Sequence, residues 1–480
     1  METDTIFAVA SGAGQAAIAV IRLSGSASRA MLAGLCGRVP TPRRASFRRL
    51  RDADGAELDQ GVVVWLPGPG SYTGEDSAEL FLHGGRAVLH GVADALVALG
   101  ARPAEPGEFT RRAFLNGRMD LTEAEAVHDL IAAETEAQRR QALRQLDGAL
   151  GQIYRGWAER LRLLLAQQEA LIDFPDEDLP PEVEAQVMAE LAALQSEVAA
   201  HLNDGRRGER LREGLVFAVT GEPNVGKSSL VNALAERDVA IVSPLPGTTR
   251  DALETRVVLG GVPGTLVDTA GLREAADAIE AEGVRRALAR AAEADLVIEV
   301  IAPPPSSPPV PSSFPPLPSS SPPLPSSSPR RRGSSPTGTD HVGLDSRLRA
   351  NDGGAGYDGG RGNDNRVLVA NKLDLGGQVP DGAIGVSVLT GQGLGTLRAR
   401  LAEAARSLTA SGGPPPLTQA RHRAALQEAE ARLAGAQIAD LPELRAEDLR
   451  LALRALGRIT GSVGVEDILD TLFARFCIGK

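Results

Sequence analysis

The stretch Gly221-Glu222-Pro223-Asn224-Val225-Gly226-Lys227-Ser228 has the residue types and spacing to hold a phosphate chain. Its glycines let successive backbone N–H groups curl around phosphate oxygens, and a helix N-terminus directly behind adds partial positive charge. Lys227 reaches for the β- and γ-phosphates and the Ser228 hydroxyl for Mg²⁺. Further stretches follow in chain order. Gly247-Thr248-Thr249-Arg250-Asp251 offers hydroxyls that can ligate Mg²⁺ and sense a γ-phosphate. Asp268-Thr269-Ala270-Gly271 offers a carboxylate to support the metal and an N–H to the γ-phosphate. Asn371-Lys372-Leu373-Asp374 presents a carboxylate to two donors on one base edge, N1–H and the 2-amino group, which selects guanine over adenine. Ser387-Val388-Leu389-Thr390 adds a backbone N–H for the guanine oxygen. A phosphate loop alone leaves ATP open; the motifs in order point to a guanine nucleotide.

Two details bear on hydrolysis. Leu272 follows Asp268-Thr269-Ala270-Gly271, where many GTPases carry a water-orienting glutamine. The attacking water must be held otherwise. Glu274, Asp277, Glu280 and Glu282 are candidates, although on their own they read better as a solvated charged face. Asn224 lies inside the phosphate loop, where its amide oxygen can ligate a monovalent cation. Such a cation can replace an arginine finger by neutralising charge between the phosphates.

The elements that must position these residues are legible. Leu215 to Thr220 is an apolar run that reads as a buried strand, and Ser229 to Leu234 opens a helix. Gly264 to Asp268, Ala294 to Ala302 and Arg366 to Ala370 read as further strands. The nucleotide domain spans 212–408, broken by a Pro/Ser tract and a Gly/Asp/Arg-rich stretch over 303–365 that cannot bury a core and reads as a disordered insertion. An inert insertion is the better reading of it than a polyproline ligand. Residues 1–118 look α+β, with strands over Thr5–Val9, Ala17–Leu23, Val62–Leu66 and Ala78–Leu82 and a helix from Ala87 to Leu99. Arg22 and Glu79 sit inside apolar runs, either at a sheet edge or lining a site. Residues 119–211 carry a long helical pattern from 120 to about 172 and another from Glu182 to Leu202. Residues 409–480 are helical again, ending Cys477-Ile478-Gly479-Lys480. Helical segments on both sides suggest one bundle interrupted by the nucleotide domain. His128 on a helical face reads as packing rather than a ligand.

With 480 residues, 42% apolar and 24% charged, the chain fits several soluble domains, and its net charge of −11 gives no overall basic footprint for nucleic acid. Lysine occurs only at 227, 372 and 480, so the terminal one carries weight beside two in nucleotide motifs. The two cysteines, Cys36 and Cys477, make neither a disulfide framework nor a zinc site. No spanning apolar segment or signal peptide is visible, which suggests a cytoplasmic protein without membrane contact. Arginine clusters at 43, 44, 48, 49 and 51 and at 206, 207, 210 and 212 can face nucleic-acid phosphates, but solvated faces are the better reading.

Taken together, the sequence resembles the MnmE (TrmE) family of bacterial tRNA-modification GTPases, of the TrmE-Era-EngA-YihA-Septin-like superfamily. The resemblance covers nearly the whole chain outside 303–365. It is carried by Gly74-Glu75-Asp76, by Glu79 before His83-Gly84-Gly85, by Pro106-Gly107-Glu108-Phe109, by the run from Phe114 to Leu121, by Asp173-Phe174-Pro175-Asp176, by the GTPase motifs and by the terminal Cys477-Ile478-Gly479-Lys480. It implies a multidomain α/β protein: an α+β folate-binding N-terminal domain, a discontinuous helical bundle, and an inserted Ras-like P-loop G domain with a mostly parallel sheet. It implies a K⁺-activated GTPase that drives modification of C5 of the wobble uridine, U34, of tRNA. The donor would be a tetrahydrofolate derivative (5-formyl- or methylene-tetrahydrofolate). The chain would act as a homodimer, in a heterotetramer with the FAD-carrying MnmG (GidA) partner.

By motif position the resemblance implies that GTP contacts run over Asn224, Val225, Gly226, Lys227, Ser228 and Ser229, over Ser243, Pro244, Leu245, Pro246, Gly247, Thr248 and Thr249, over Asp268, Thr269, Ala270 and Gly271, and over Asn371, Lys372, Asp374, Ser387, Val388 and Leu389. K⁺ would be held by Asn224, Ser243, Leu245 and Thr248, and Mg²⁺ by Ser228 and Thr249. Glu280, Lys227 and Asn224 would be catalytic. Glu280 becomes the residue that positions water, reversing the reading from the residues alone. Folate would contact Arg22, Glu79, Arg118 and Lys480. Cys477 reads as a buried structural thiol beside that pocket rather than a nucleophile. Ile301-Ala302-Pro303 departs from the Asp-containing strand end expected there. A regulatory or ribosome-assembly GTPase is the competing class; it would need neither the N-terminal domain nor the Cys477–Lys480 end. A folate-dependent one-carbon enzyme gated by its G domain is the third.

Overall fold

A computed structural model describes residues 4–12, 14–173, 181–238, 254–268, 292–303, 365–410, 412–464, 466–474 and 476–479. Two compact units result: Met1–Glu213 with Leu408–Lys480, and Gly214–Ser407.

The first unit begins with a sheet of β1 (Ile6–Val9), β2 (Ala16–Ser24), β3 (Ser46–Arg51), β4 (Glu57–Leu66), β5 (Ser77–Gly84) and β6 (Arg102–Pro103). Their order is β3-β4-β5-β2-β1-β6, antiparallel except that β6 runs parallel to β1. Alternation along β2 and β5 sends Ile21, Leu23, Leu80 and Leu82 to one face, where they pack with Leu32 of α1 (Ser28–Cys36) and Leu96 of α2 (Arg86–Ala98). The opposite face buries Ile6 and Ala8 against Phe109 of α3 (Glu108–Leu115). Arg22 and Glu79 share this second face, opposite one another on the two central strands. The edge-strand alternative for them is thereby removed.

The helical pattern expected to run from 120 to about 172 is three helices: α4 (Leu121–Ala132), α5 (Glu136–Leu146) and α6 (Ala149–Asp173). Capping boxes at Asp120/Glu123 and Thr135/Gln138 start the first two, and Gly148, at φ +81°, turns the chain into the third. α7 (Pro181–Leu202) and α8 (Arg207–Glu213) complete the first segment. Within the second unit lie β7 (Leu215–Gly221), α9 (Lys227–Asp238), β8 (Glu254–Leu259), β9 (Val262–Asp268), β10 (Leu296–Ile301), β11 (Arg366–Ala370) and β12 (Ile384–Gly385), with α10 (Leu394–Thr409) leading back to the first. The sheet order is β12-β11-β10-β7-β9-β8, with β8 alone antiparallel. β7 therefore sits where strand order reverses, the point at which such sheets bind ligands at their C-terminal edge. The insertion expected over 303–365 falls almost entirely outside the described residues, but the strands on either side of it, β10 and β11, are parallel neighbours.

The returning chain forms α11 (Ala420–Ile438), α12 (Pro442–Thr460) and α13 (Glu466–Phe473). Leu161, Leu164, Leu191, Leu194, Leu426, Leu433, Leu449 and Leu456 make one core from both chain segments. Each fully buried leucine in it contributes about 2 kcal/mol. Among the described residues no helix is long and apolar enough to cross a membrane.

Candidate functional site

β7 delivers the phosphate loop. Gly221 lies at φ +139°, and a Cβ there would come within 2.0 Å of the Val300 carbonyl oxygen, so only glycine fits. Asn224 takes the left-handed conformation at φ +62°, which asparagine tolerates. At Gly226 a Cβ would meet Asn371 Nδ2 at 2.4 Å. The first residue of α9 is Lys227; its Nζ donates to the carbonyls of Gly221 (2.9 Å) and Glu222 (2.7 Å). Ser228 Oγ donates to Asp268 Oδ2 at 2.5 Å, bringing hydroxyl and carboxylate together from α9 and the end of β9.

The motif after β11 joins this loop. Asn371, 2% exposed, donates from Nδ2 to the Val225 carbonyl at 2.8 Å and accepts at Oδ1 from the Val388 N–H at 3.4 Å. Lys372 Nζ donates to the Asn224 carbonyl at 2.6 Å. Ser387 Oγ donates to Asp374 Oδ1 at 2.6 Å, fixing the carboxylate. Leu389 is 84% exposed beside it, and Ser229 is exposed on α9. Asn224, Val225, Gly226, Lys227, Ser228, Asp268, Asn371, Lys372, Asp374, Ser387 and Val388 are thus linked by hydrogen bonds and chain continuity. Ser243, Pro244, Leu245, Pro246, Gly247, Thr248, Thr249, Thr269, Ala270, Gly271, Leu272 and Glu280 lie outside the described residues.

A second cluster occupies the α3 face of the first sheet. Arg22 donates from Nε (3.1 Å) and Nη2 (2.9 Å) to Glu79 Oε1. Its guanidinium lies 5.3 Å from the Tyr72 ring centroid and 5.8 Å from that of Phe109. Arg22 Nη1 is buried without a hydrogen-bond partner. Two residues along β2, Ser24 Oγ donates to Glu75 Oε2 at 2.7 Å and bonds Thr73 at 2.6 Å. Arg118 is exposed, its stem against Gly74, and Asn116 Nδ2 donates to the Thr73 carbonyl. Lys480 lies outside the described residues. Its neighbour Gly479, at φ +97°, runs so close to β1 that a Cβ would stand 2.5 Å from the Val9 carbonyl oxygen. Gly479 therefore lies against the strand that pairs with Arg22's.

Behind this cluster stands a network that the sequence reading missed. Arg112, 3% exposed, reaches Glu108 Oε1 (2.9 Å), Asp4 Oδ1 (2.9 Å) and Glu75 Oε2 (3.3 Å), and Arg102 holds Glu108 as well. Burial opposes ionisation of Glu108, but the two arginines hold its carboxyl below the usual range. Glu75 and Glu108 lie in stretches that carry the resemblance and Arg112 stands four residues after Glu108, but the bonds of Arg112 to Asp4 and Glu75 join residues 108 and 37 positions apart, which no local signal marks.

Cys477 is exposed, which corrects the expectation of a buried thiol; its carbonyl, not its side chain, faces the fold, accepting from Gly107 N at 3.5 Å. Burial pushes the Cys36 thiol up to about 11. The His128 ring packs on Phe476, centroids 5.1 Å apart, as a packing residue should. Of the second arginine cluster, Arg207 bonds the Gly412 and Pro414 carbonyls, Arg206 pairs with Glu209 and Arg212 with Asp129, so those side chains serve the fold. Among the described residues no group of three or more His, Cys, Asp or Glu side chains could hold a metal.

Two family models match. One described as the MnmE helical domain covers residues 121–477, and one described as GTP-binding protein TrmE N-terminus covers 5–118. The chain is 57% identical over 481 residues to the tRNA modification GTPase MnmE of Gluconacetobacter diazotrophicus, spanning 99% of this chain and 98% of that one. It is 53% identical to the protein of the same description from Granulibacter bethesdensis, with both chains covered in full, and 51% identical to that of Parvibaculum lavamentivorans, over 99% of this chain and 100% of that one.

Proposed function

The chain belongs to the MnmE family, and on that premise we propose that it hydrolyses GTP in a K⁺-activated reaction that drives modification of C5 of the tRNA wobble uridine, U34, adding an aminomethyl or carboxymethylaminomethyl group. The observation that carries the nucleotide part is Asn371: its amide ties the phosphate loop at Val225 to the segment that ends in Asp374 and Ser387. One buried side chain thereby sets the distance between phosphate-binding and base-selecting groups.

The oxygen pair Ser228–Asp268 suits a hard cation such as Mg²⁺, with Thr249 completing the assignment. Asn224 projects from a left-handed loop position with its side chain exposed; we assign it to K⁺ with Ser243, Leu245 and Thr248. Bound, these ions would neutralise charge developing on the phosphates. Lys227 would exchange its carbonyl partners for phosphate oxygens, and Glu280 would orient the attacking water. GTP would further contact the stretches 224–229, 243–249, 268–271, 371–374 and 387–389.

The tetrahydrofolate derivative fits the second cluster. A buried guanidinium nitrogen without a partner is an open donor, Tyr72 and Phe109 are flat walls, and Glu79 is already oriented. Arg118 and Lys480 would supply charge for the folate's carboxylates. The homodimer has a candidate surface on the same sheet face: Phe47 (63% exposed) pairs across to Val62 (37%), which pairs to Phe81, with Ile18 (64%) further along. The FAD would belong to the MnmG partner.

Reconstitution with that partner, tRNA, K⁺ and the folate tests this, read as modified U34 by nucleoside mass spectrometry. Modification is expected with GTP, and none with a non-hydrolysable analogue or with Lys227→Ala. Equal modification without GTP would overturn the reading.

A further inference from the structure

Three residues at i, i+3 and i+4 on α4 share one helix face, and each holds a different part of the chain. Glu125, 1% exposed, accepts from Arg421 Nε at 2.5 Å and bonds His422 Nε2 at 2.8 Å, both at the start of α11, the first helix of the returning chain. His128 packs on Phe476, which is buried, lies 5.3 Å from the Phe473 ring and opens the C-terminal tail. Asp129 accepts at Oδ1 from Arg212 Nε at 2.7 Å, with side-chain exposures of 11% and 23%. Arg212 belongs to α8, the last element before β7 and the phosphate loop. Gln138 and Gln141 of α5 donate to carbonyls of the same helix, at Arg212 and Gly208.

Resting on the functional reading above, we propose that Asp129 and His128 are positioning residues: through them, α8 sets the seat of the tail that brings Gly479 beside β1. Removing one partner of a half-buried ion pair leaves the other charge uncompensated, so α4 and α8 shift together or the pair parts at a cost. A cavity of about 140 Å³ lined by His128, Asp129, Gln138 and Arg212 lies beside the pair, leaving space around it. Three residues on from Asp129's partner the chain becomes β7, and one residue from Asp129 is the ring that seats Phe476. From Phe476 the tail runs by the Gly107 N–H to Val9, on the strand whose Ala8 faces Arg22. The coupling needs no contact between the nucleotide and the tail, only a joint that both segments bias.

Exposed Cys477 is a native reporter of the tail, and the Cys36 thiol, held up by burial, reacts slowly. Maleimide labelling of Cys477 in the full-length chain, followed by peptide mass, is the test. A GTP analogue with K⁺ should change the native rate by about fivefold or more. Asp129→Asn should abolish that dependence while GTP turnover stays. The charge-exchanged double variant, Asp129→Arg with Arg212→Asp, should restore it, which a merely unfolded variant could not do. Without nucleotide, His128→Ala should already raise the labelling rate. The proposal is overturned if Asp129→Asn responds as the native chain does, if a native chain that turns over GTP shows no response, or if His128→Ala leaves the nucleotide-free rate unchanged. Absence of GTP turnover in the native chain would instead sink the functional reading, and the nucleotide-free arm would still judge the joint.

Discussion

On the proposed function, base choice turns on Asp374, whose carboxylate accepts from Ser387 Oγ at 2.6 Å. A carboxylate accepts from both donors of the guanine edge; an amide offers one acceptor and one donor. Asp374→Asn should weaken GTP binding by about a hundredfold or more and admit xanthosine triphosphate, whose 2-oxo group accepts where guanine donates. Competition binding with the two nucleotides checks this, and unchanged preference would refute the assignment. At the chain end, Lys480→Ala should abolish U34 modification and spare GTP turnover. The phosphate loop and the base-selecting motif were readable because phosphate and base recognition use contiguous residues at fixed spacing. The burial of Arg22 Nη1, the exposure of Cys477 and the bonds of Arg112 to Asp4 and Glu75 were not, because each depends on chain segments far apart in sequence.

At the scale of elements, the helical segments show both what was legible and what was overlooked. Leu161, Leu164, Leu165, Gln168 and Leu171 recur at helical spacing in the sequence, and of these Leu161, Leu164 and Gln168 are buried while Leu165 and Leu171 are partly so. The helix starts at 120 and 135 are written in the sequence as Asp120-x-x-Glu123 and Thr135-x-x-Gln138, signals that apolar periodicity alone does not carry. The contact of α4 with α11 had no such local mark. There, burial pushes Glu125 up, but Arg421 and His422 outweigh it and hold the carboxyl at about 2, against an ordinary 4.5. Burial in turn keeps the His422 ring below its usual value. A depressed folded-state pKa stabilises the fold above pH 4.5, and that stability is lost as pH falls from 4.5 toward 2, on the order of 3 kcal/mol. Asp129, pushed up to about 6 by burial against the pull of Arg212, has the opposite sign: its folded form prefers the proton, so it costs stability as pH rises through 6. Urea denaturation at pH 7, 5 and 3 should show acid loss that Glu125→Gln flattens. Glu125→Ala, leaving Arg421 and His422 buried, should cost about 3–5 kcal/mol at pH 7.

For the whole molecule, the core of the helical bundle is assembled from chain on both sides of residues 214–407, while the sheet of that unit needs nothing from the first to complete its strand order. β10 and β11 pair directly although the low-complexity stretch separates them, so replacing 304–364 by a short linker should leave GTP turnover intact. A steady-state assay of the shortened chain decides it, and lost activity would give the stretch a function. The proposed mechanism has the phosphate loop use a monovalent cation instead of the usual glutamine and arginine finger. The most direct measurement is the rate of GTP turnover by the full chain in KCl against NaCl at equal ionic strength. Turnover faster in KCl, with the difference removed by Asn224→Ala, is the predicted result; equal rates in the two salts would contradict it.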